Sequence, residues 1–324
     1  MMEKPFQGLR RFCKVSENPE KTYAVLGFPC DTSTTYRPGA RFAPAAIREA
    51  SMMLTDGTHP EFDVDITKHV VDLGDADITT GNTTRMLEQV ETITNNVLNW
   101  NKHPVFLGGD HSITLGILRA IRKFYGKVAV IHLDAHCDTW KTNFDEPIGH
   151  GTWLYNAINE DLVDPTKVIS IGIRSPADSA SRQFLQERGG TTITAREAHY
   201  KIGQVLDAVF KVVGNTPVYM TFDIDVLDPA HAPGTGTPEV GGLTTMWVLE
   251  FIECLADLNW VGMDLVEVAP AYDHAEITSL AAATICWTYL SMVVHRRTVG
   301  FASCGDEDPV EETVGPALSG LTDH

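Results

Sequence analysis

Short apolar runs alternate along the chain with longer segments in which apolar residues recur at helical spacing. The apolar runs predict eight strands, at 23–30, 69–76, 104–111, 127–136, 167–175, 190–195, 217–225 and 259–268. The segments between them predict helices at 41–51, 84–100, 113–125, 179–188, 201–213 and 244–258. Because strands that alternate with helices form parallel sheets, we expect an α/β protein with a parallel sheet.

No linker rich in proline, glycine or serine and no internal repeat divides the 324 residues, so one domain is expected. The weakly patterned acidic segment 303–324 is expected to be a tail. The uncharged segment 277–294 is just long enough to span a membrane. It contains several threonines and serines and stands alone in a soluble pattern, so we expect a helix buried against the sheet.

The overall charge narrows the set of partners. The net charge is −18, from 25 basic and 43 acidic residues, and this balance repels phosphate, so no nucleic-acid partner is expected. The acidic surface keeps the protein soluble and also suits a cationic substrate. Six scattered cysteines without a CxxC pair predict reduced thiols, and residues 1–21 lack a secretory signal. A cytoplasmic protein with no membrane partner is therefore expected.

Candidate chemistry appears at the end of one predicted strand, in VAVIHLDAHCDTW at 128–140. Residues two apart on a strand share a face, so the side chains of Asp134, His136 and Asp138 converge on one volume. Desolvated carboxylates are costly unless something positive pairs with them. This spacing therefore predicts a metal site.

Other predicted strands end in similar residues, and the carboxyl ends of parallel strands meet at one edge of a sheet. The additional candidates are His111, Asp223, Asp225 and the nearby Glu267. Four aspartates around one divalent ion would leave excess negative charge, whereas two ions about 3.5 Å apart would use every ligand. Carboxylates and imidazoles without thiolates favour Mn²⁺ and also allow Ni²⁺, Fe²⁺, Co²⁺ or Zn²⁺. His132 lies one step deeper on the same strand face and is predicted to be structural.

The motifs at these positions resemble those of the ureohydrolase family, most closely its agmatinase branch. They are GGDHS at 108–112, DAHCDT at 134–139, HGT at 150–152, and the longer segments 221–244 and 261–284. The resemblance covers about residues 20–297. It implies a three-layer α/β/α arginase-like fold around a mostly parallel eight-stranded sheet, and a homo-oligomer, either a trimer or a hexamer.

The resemblance also implies a role for each candidate. One ion would be bound by His111, Asp134, Asp138 and Asp223, and the other by Asp134, His136, Asp223 and Asp225. A water ionised by the two cations would attack the guanidinium carbon and release urea and an amine. Glu267 would hold the guanidinium by a bidentate pair, Asp138 would pass a proton to the leaving nitrogen, and His150 would be the proton shuttle.

The substrate is less constrained by the sequence. The segment 139–153 lacks the Ser-Gly-Asn stretch of arginases, which disfavours arginine. Agmatine is favoured, with Asp145 or Glu146 facing its ammonium group, whereas Lys141 would suit a guanidino acid such as guanidinobutyrate or guanidinopropionate. An alkylguanidine or a biguanide such as metformin would need none of these charges.

Two aromatic residues flank the metal and shuttle motifs. Trp140 and Trp153 are candidates for walls of the substrate site, where they could stack on a guanidine, or for ordinary packing.

Two alternatives belong to other classes. A non-catalytic paralogous subunit would typically lose ligands, the shuttle histidine or the guanidinium-binding glutamate, all of which are present here. A metal-dependent deacetylase on a related fold predicts one metal and gives no reason for Glu267. Activity that requires a paralogous partner subunit stays open.

Overall fold

The computed structural model describes residues 10–15, 18–54 and 58–299, and in this part of the chain eight parallel strands form one sheet. The strands are β1 (Tyr23–Gly27), β2 (Val70–Asp75), β3 (His103–Leu107), β4 (Ala129–Leu133), β5 (Val168–Ile173), β6 (Thr191–Thr194), β7 (Val218–Asp223) and β8 (Trp260–Val266). Their order is β2-β1-β3-β8-β7-β4-β5-β6. All eight predicted strands are confirmed, each shorter than the apolar run that predicted it.

Helices connect the strands. They are α1 (Ala43–Ala50), α2 (Thr83–Asn99), α3 (Ile113–Tyr125), α4 (Trp153–Asn159), α5 (Ser179–Gln183), α6 (Ala195–His199), α7 (Ile202–Val213), α8 (Thr245–Glu253) and α9 (Ile277–Val299). The sequence pattern missed α4 and α6, because helices of seven and five residues are too short to show a helical period. The predicted tail lies outside the described residues, and the single-domain boundary stays a prediction.

Two apolar clusters fill the space on either side of the sheet. One contains side chains of α1, α7, α8 and α9, and the other contains side chains of α2, α3 and α4. Successive residues of a strand point to opposite faces, so both clusters draw on the same strands. This arrangement confirms the three-layer α/β/α fold.

Helix α9 is the helix that satisfies the length and hydropathy criteria for a membrane span within the described residues. In an apolar 18-residue window of its segment Ile277–Arg297, 72% of the residues are buried inside the fold. It packs against α1 and α8, and buried side chains from Ala282 to Val294 belong to the apolar cluster on that face. The prediction of a helix buried against the sheet is therefore confirmed.

The strand order brings the candidate residues together. The segments after β3, β8, β7 and β4, which are adjacent in the sheet, carry all of the predicted ligands and Glu267. Gly109, in the loop after β3, allows the close approach of the loop after β1, because a Cβ there would lie 1.7 Å from the carbonyl oxygen of Cys30. The carbonyl of Gly109 accepts a hydrogen bond from the backbone N–H of Glu267 at 2.9 Å. The loop after β3 thereby fixes the start of the loop after β8.

Candidate active site

One group of predicted ligands surrounds the imidazole of His111. Its Nδ1 atom lies 3.2 Å from Asp134 Oδ2, 3.2 Å from Asp138 Oδ2 and 3.1 Å from Asp223 Oδ2. All four side chains are at most 5% exposed. These residues come from three different loops, so the cluster depends on the strand order and not on one motif.

A second group surrounds His136. The Nδ1 atom of His136 lies 3.2 Å from Asp134 Oδ1 and 3.0 Å from Asp225 Oδ2. Asp134 therefore contributes one carboxylate oxygen to each group. A carboxylate shared in this way can bridge two cations that lie side by side.

The electrostatics of the two groups indicate excess negative charge. Burial and the charge of Asp134 raise the pKa of Asp138 well above its usual value, and burial with the charges of Asp225 and Asp134 does the same for the pKa of Asp223. Burial would lower the pKa of His111, but Asp134 and Asp223 raise it well above its usual value. Two divalent cations would remove this repulsion, and the oxygen and nitrogen donors suit them. The residues therefore fit divalent metal binding.

Two candidate residues have an unusual backbone conformation. Asp138 and Glu267 have φ angles of 50° and 66°, in the left-handed region that residues other than glycine rarely adopt. Such strain is retained where the surrounding structure and the function require it. Glu267 directly follows the end of β8, whereas Asp138 lies in the loop after β4, which ends at Leu133. Both carboxyl groups turn toward the ligand cluster.

Trp153 occupies a different place from the one predicted for a wall of the substrate site. It is 1% exposed, and its Nε1–H donates a 2.7 Å hydrogen bond to Asp138 Oδ2. Its ring stacks on His111 with a centroid distance of 5.0 Å. Trp153, the first residue of α4, therefore faces inward and orients two predicted ligands. The sequence pattern did not predict this placement, because it did not predict α4.

The histidine predicted to be structural supports another ligand. His132 is fully buried, its Nε2 atom lies 2.8 Å from Asp134 Oδ2, and its Nδ1 atom lies 3.0 Å from Ser170 Oγ. Both ring nitrogens are therefore hydrogen-bonded below the ligands. A residue two positions before a ligand is recognisable in the sequence, but its partner on the neighbouring strand is not.

His150 and Glu267 form a buried pair beside the ligands. The Nδ1 atom of His150 lies 2.9 Å from Glu267 Oε1, and its Nε2 atom lies 2.8 Å from Thr35 Oγ1. The same Glu267 oxygen accepts the backbone N–H of His111 at 2.9 Å. Glu267 Oε2 is buried without a hydrogen-bond partner among the described residues. Nothing in the sequence around Thr35 indicated its contact with His150.

This pair predicts a pH-dependent stability. Burial would lower the pKa of His150, but the charge of Glu267 and the hydrogen bond to it raise that pKa from 6.5 to about 9. The pair therefore stabilises the fold fully below pH 6.5 and loses this contribution as the pH rises through 9. In thermal unfolding, the stability difference between wild type and His150→Gln should shrink by up to about 3 kcal/mol from pH 6 to pH 10.

The control for this experiment is His199→Gln, since His199 is exposed. This variant removes an exposed imidazole and leaves the pair of His150 and Glu267 in place. A stability difference between wild type and His150→Gln that did not change with pH would contradict the pairing.

A cavity of about 320 Å³ opens over the ligands, a volume suited to a small molecule. Four predicted ligands and His150 line it, namely His111, His136, Asp138, Asp223 and His150. The remaining wall is uncharged and includes Thr35, Trp140, Thr142, Asn143, Phe144 and Thr237. Trp140 therefore lies where a wall of the substrate site was predicted. Glu267 is covered by His150 and is 1% exposed.

A second cavity of about 450 Å³ adjoins the first and shares Thr35, Asn143 and Phe144 with it. Its lining is rich in hydroxyl groups, and Glu146 is the charged side chain in it. Asp145 lines neither cavity, because it lies at the tip of a tight turn. That turn is closed by two backbone hydrogen bonds between Asn143 and Glu146, and Phe144 and Asp145 have φ angles of 48° and 66°.

The three-layer fold and the carboxylate–imidazole cluster at its strand ends define a metal-binding hydrolase of the α/β class. The chain belongs to the arginase family, whose family model matches residues 21–291. It is a ureohydrolase, which cleaves an amidine carbon–nitrogen bond of a guanidine compound. The predicted family is therefore confirmed, and the reading as a non-catalytic paralogue is not supported.

Individual relatives are similar over most of their length. An agmatinase from Cronobacter sakazakii is 43% identical over 267 residues, which are 81% of this chain and 84% of that protein. A proclavaminate amidino hydrolase from Streptomyces clavuligerus superposes with a TM-score of 0.84 at 36% identity, over 90% of this chain and 99% of that chain. A hypothetical agmatinase from Burkholderia thailandensis superposes with a TM-score of 0.83 at 34% identity, over 92% of this chain and 98% of that chain.

Proposed function

We propose that this enzyme hydrolyses agmatine to urea and putrescine with two divalent cations. The observation that carries the proposal is the buried, unpartnered Oε2 of Glu267 beside the ligand cluster. A buried carboxylate oxygen without a donor is costly, and a guanidinium group would supply two parallel N–H donors. The names of the agmatinase relatives support agmatine as the guanidine compound.

The six ligands divide into two sets in this proposal. His111, Asp134, Asp138 and Asp223 would hold one cation, and Asp134, His136, Asp223 and Asp225 would hold the other. When bound, two such cations would supply a water molecule with a lowered pKa, which is a nucleophile near neutral pH. The donor set favours Mn²⁺, with Ni²⁺ as the alternative.

Substrate binding requires His150 to exchange partners. The imidazole carries a proton on Nδ1 while it pairs with Glu267, since that pairing raises its pKa to about 9. When the guanidinium takes over the Glu267 carboxylate, His150 loses the charge that stabilised its proton. The imidazole then becomes a better acid, and His150 delivers this proton toward the leaving amine. Asp138, held by Trp153, orients the attacking water and passes a proton from it to the leaving nitrogen, and the proton from His150 completes the ammonium group of the released amine.

The test is urea release by enzyme reconstituted separately with Mn²⁺ and with Ni²⁺. The panel contains agmatine, 4-guanidinobutyrate, 3-guanidinopropionate, arginine, guanidine, dimethylguanidine and metformin. Highest kcat/KM with agmatine supports the proposal. If only another compound is hydrolysed, that compound replaces agmatine as the substrate. A protein that binds no metal after reconstitution and releases no urea would contradict the mechanism.

The uncharged outer wall of the first cavity supports a second candidate. Beyond the ligands, Trp140, Asn143 and Phe144 offer no anionic partner for an ammonium group. This wall suits an alkylguanidine or a biguanide, which would bind by apolar and stacking contacts. Agmatine, by contrast, would extend its ammonium group toward Glu146 in the adjoining cavity.

A matched pair of variants separates these candidates. Glu146→Gln should lower kcat/KM for agmatine by roughly 3- to 5-fold, a modest effect because the carboxylate is exposed, and leave n-butylguanidine unaffected. Asp145→Asn removes the same charge one residue away and should change neither rate. Equal effects of both variants, or an equal loss with both substrates, would contradict recognition by Glu146.

The assembly and location of the enzyme remain predictions. We propose a homo-trimer or homo-hexamer, as the resemblance to ureohydrolases implied, and a location in the cytoplasm, as the scattered cysteines without a CxxC pair suggested. Sedimentation of the metal-loaded enzyme tests the oligomeric state. Activity of that enzyme without any other chain would exclude the need for a paralogous subunit.

A further inference from the structure

Four polar residues form a row across the middle of the sheet, where a parallel sheet is normally apolar. They are Ser170 on β5, His132 on β4, Thr221 on β7 and Asp264 on β8, and each is at most 2% exposed. The strand register pairs each of them with the next, as His132 with Ser170, His132 with Thr221, and Thr221 with Asp264. Burying such groups is costly, so the row requires an explanation.

The row lies directly below the ligands. His132 and Thr221 each precede a ligand, Asp134 or Asp223, by two residues and therefore share its strand face. Thr221 Oγ1 lies 2.8 Å from His111 Nε2, the ring nitrogen that faces away from the carboxylates. The row therefore touches the ligand cluster from beneath at His111 as well as at Asp134.

The hydrogen-bond directions in this row follow from the chemistry of Asp264. Its carboxylate accepts hydrogen bonds from Thr221 at 2.6 Å, from Tyr219 at 2.8 Å and from Thr114 at 3.0 Å. A threonine hydroxyl has one proton, and Thr221 donates it to Asp264. Thr221 can then only accept from His111, whose Nε2 must carry the proton. The Nδ1 atom is left with its lone pair toward the carboxylate cluster.

We propose that Thr221 and Asp264 are positioning residues that hold His111 with its proton on Nε2, so that Nδ1 is the metal-binding atom. The inference rests on the proposed metal-dependent function but concerns binding and not turnover. Partners that orient a ligand histidine in this way typically change metal affinity by 10- to 100-fold when they are removed.

Mn²⁺ binding to the metal-free full-length enzyme tests the proposal by titration. Thr221→Val keeps the shape of the side chain but removes the hydroxyl. It should lower the affinity for one of the two bound ions by roughly 10- to 100-fold. Thr221→Ser should restore the affinity, because serine supplies the same hydroxyl. Tyr219→Phe is the matched control, since it removes another donor to Asp264 and leaves the contact between Thr221 and Asp264 in place.

A spectroscopic measurement tests the proposal even if Thr221→Val does not fold. In enzyme loaded with diamagnetic Zn²⁺ and labelled with ¹⁵N-histidine, wild-type His111 should show a protonated, exchange-protected Nε2. In Asp264→Asn the amide can donate to Thr221, so this proton should exchange faster or shift. An unprotonated Nε2 in wild type would overturn the proposal.

The remaining outcomes also discriminate. If Thr221→Val and Tyr219→Phe lose thermal stability equally and both bind Mn²⁺ like wild type, the row is only structural and the proposal fails. Wild-type enzyme that binds two Mn²⁺ ions with the expected Thr221 dependence, but releases no urea, would support the positioning role and contradict the proposed function.

Discussion

Asparagine in place of Asp134 is expected to weaken metal binding and to lower turnover strongly. Asp134 gives one oxygen to the group around His111 and the other to the group around His136, so one substitution affects both groups. The proposed pair of cations would contribute several kcal/mol to catalysis, so kcat/KM should fall by roughly 10³-fold or more. Metal analysis of the purified variant should find fewer bound ions than in wild type.

The control is Asp228→Asn. Asp228 lies on the loop after β7 and accepts hydrogen bonds from the backbone N–H groups of Gly241 and Gly242, away from the ligands. This variant should keep the wild-type metal content and turnover. If Asp134→Asn bound as many ions as wild type and its kcat/KM fell less than tenfold, Asp134 would not be the shared ligand.

The second large effect is expected at Glu267. Glu267→Gln keeps the shape of the side chain but removes the charge that faces a buried cation, whether the His150 imidazolium or the substrate guanidinium. Breaking a buried ion pair typically costs 3–5 kcal/mol, so kcat/KM should fall by roughly 10²- to 10³-fold. Because Glu267 is not a predicted ligand, the metal content should stay at the wild-type value.

Metal content therefore separates the two variants. Glu239→Gln is the matched control for Glu267, since Glu239 Oε1 lies 4.0 Å from His136 Nε2 and its side chain is more exposed. Glu239→Gln should lower the rate of urea release far less than Glu267→Gln does. A Glu267→Gln variant that lost its metal ions, or that released urea at the wild-type rate, would contradict the role of Glu267 in guanidinium binding.

The eight strands and most of the ligand set were predictable, because they depend on local rules. Strand alternation predicted common faces for Asp134 with Asp138 and for Asp223 with Asp225. In the structure β4 ends at Leu133 and β7 ends at Asp223, so Asp138 and Asp225 lie beyond the strands and reach the ligand groups from the segments that follow. The motif at 134–139 and the motif around Asp223 still indicated the right residues, although the strand geometry assumed for them was wrong. The short helix α4 had no such signal, which is why Trp153 was predicted as a possible wall of the substrate site and is instead a donor to Asp138.

The sequence by itself determined the α/β class, the family and the identity of the residues at the strand ends. The contacts between residues on different strands became visible only in the tertiary structure. The adjacency of β3, β8, β7 and β4 joins His111 to Thr221 and His150 to Glu267, at sequence separations of 110 and 117 residues. The physical reason is that side-chain direction along a strand is local, whereas a contact between strands depends on strand order and register, which no short stretch of sequence specifies.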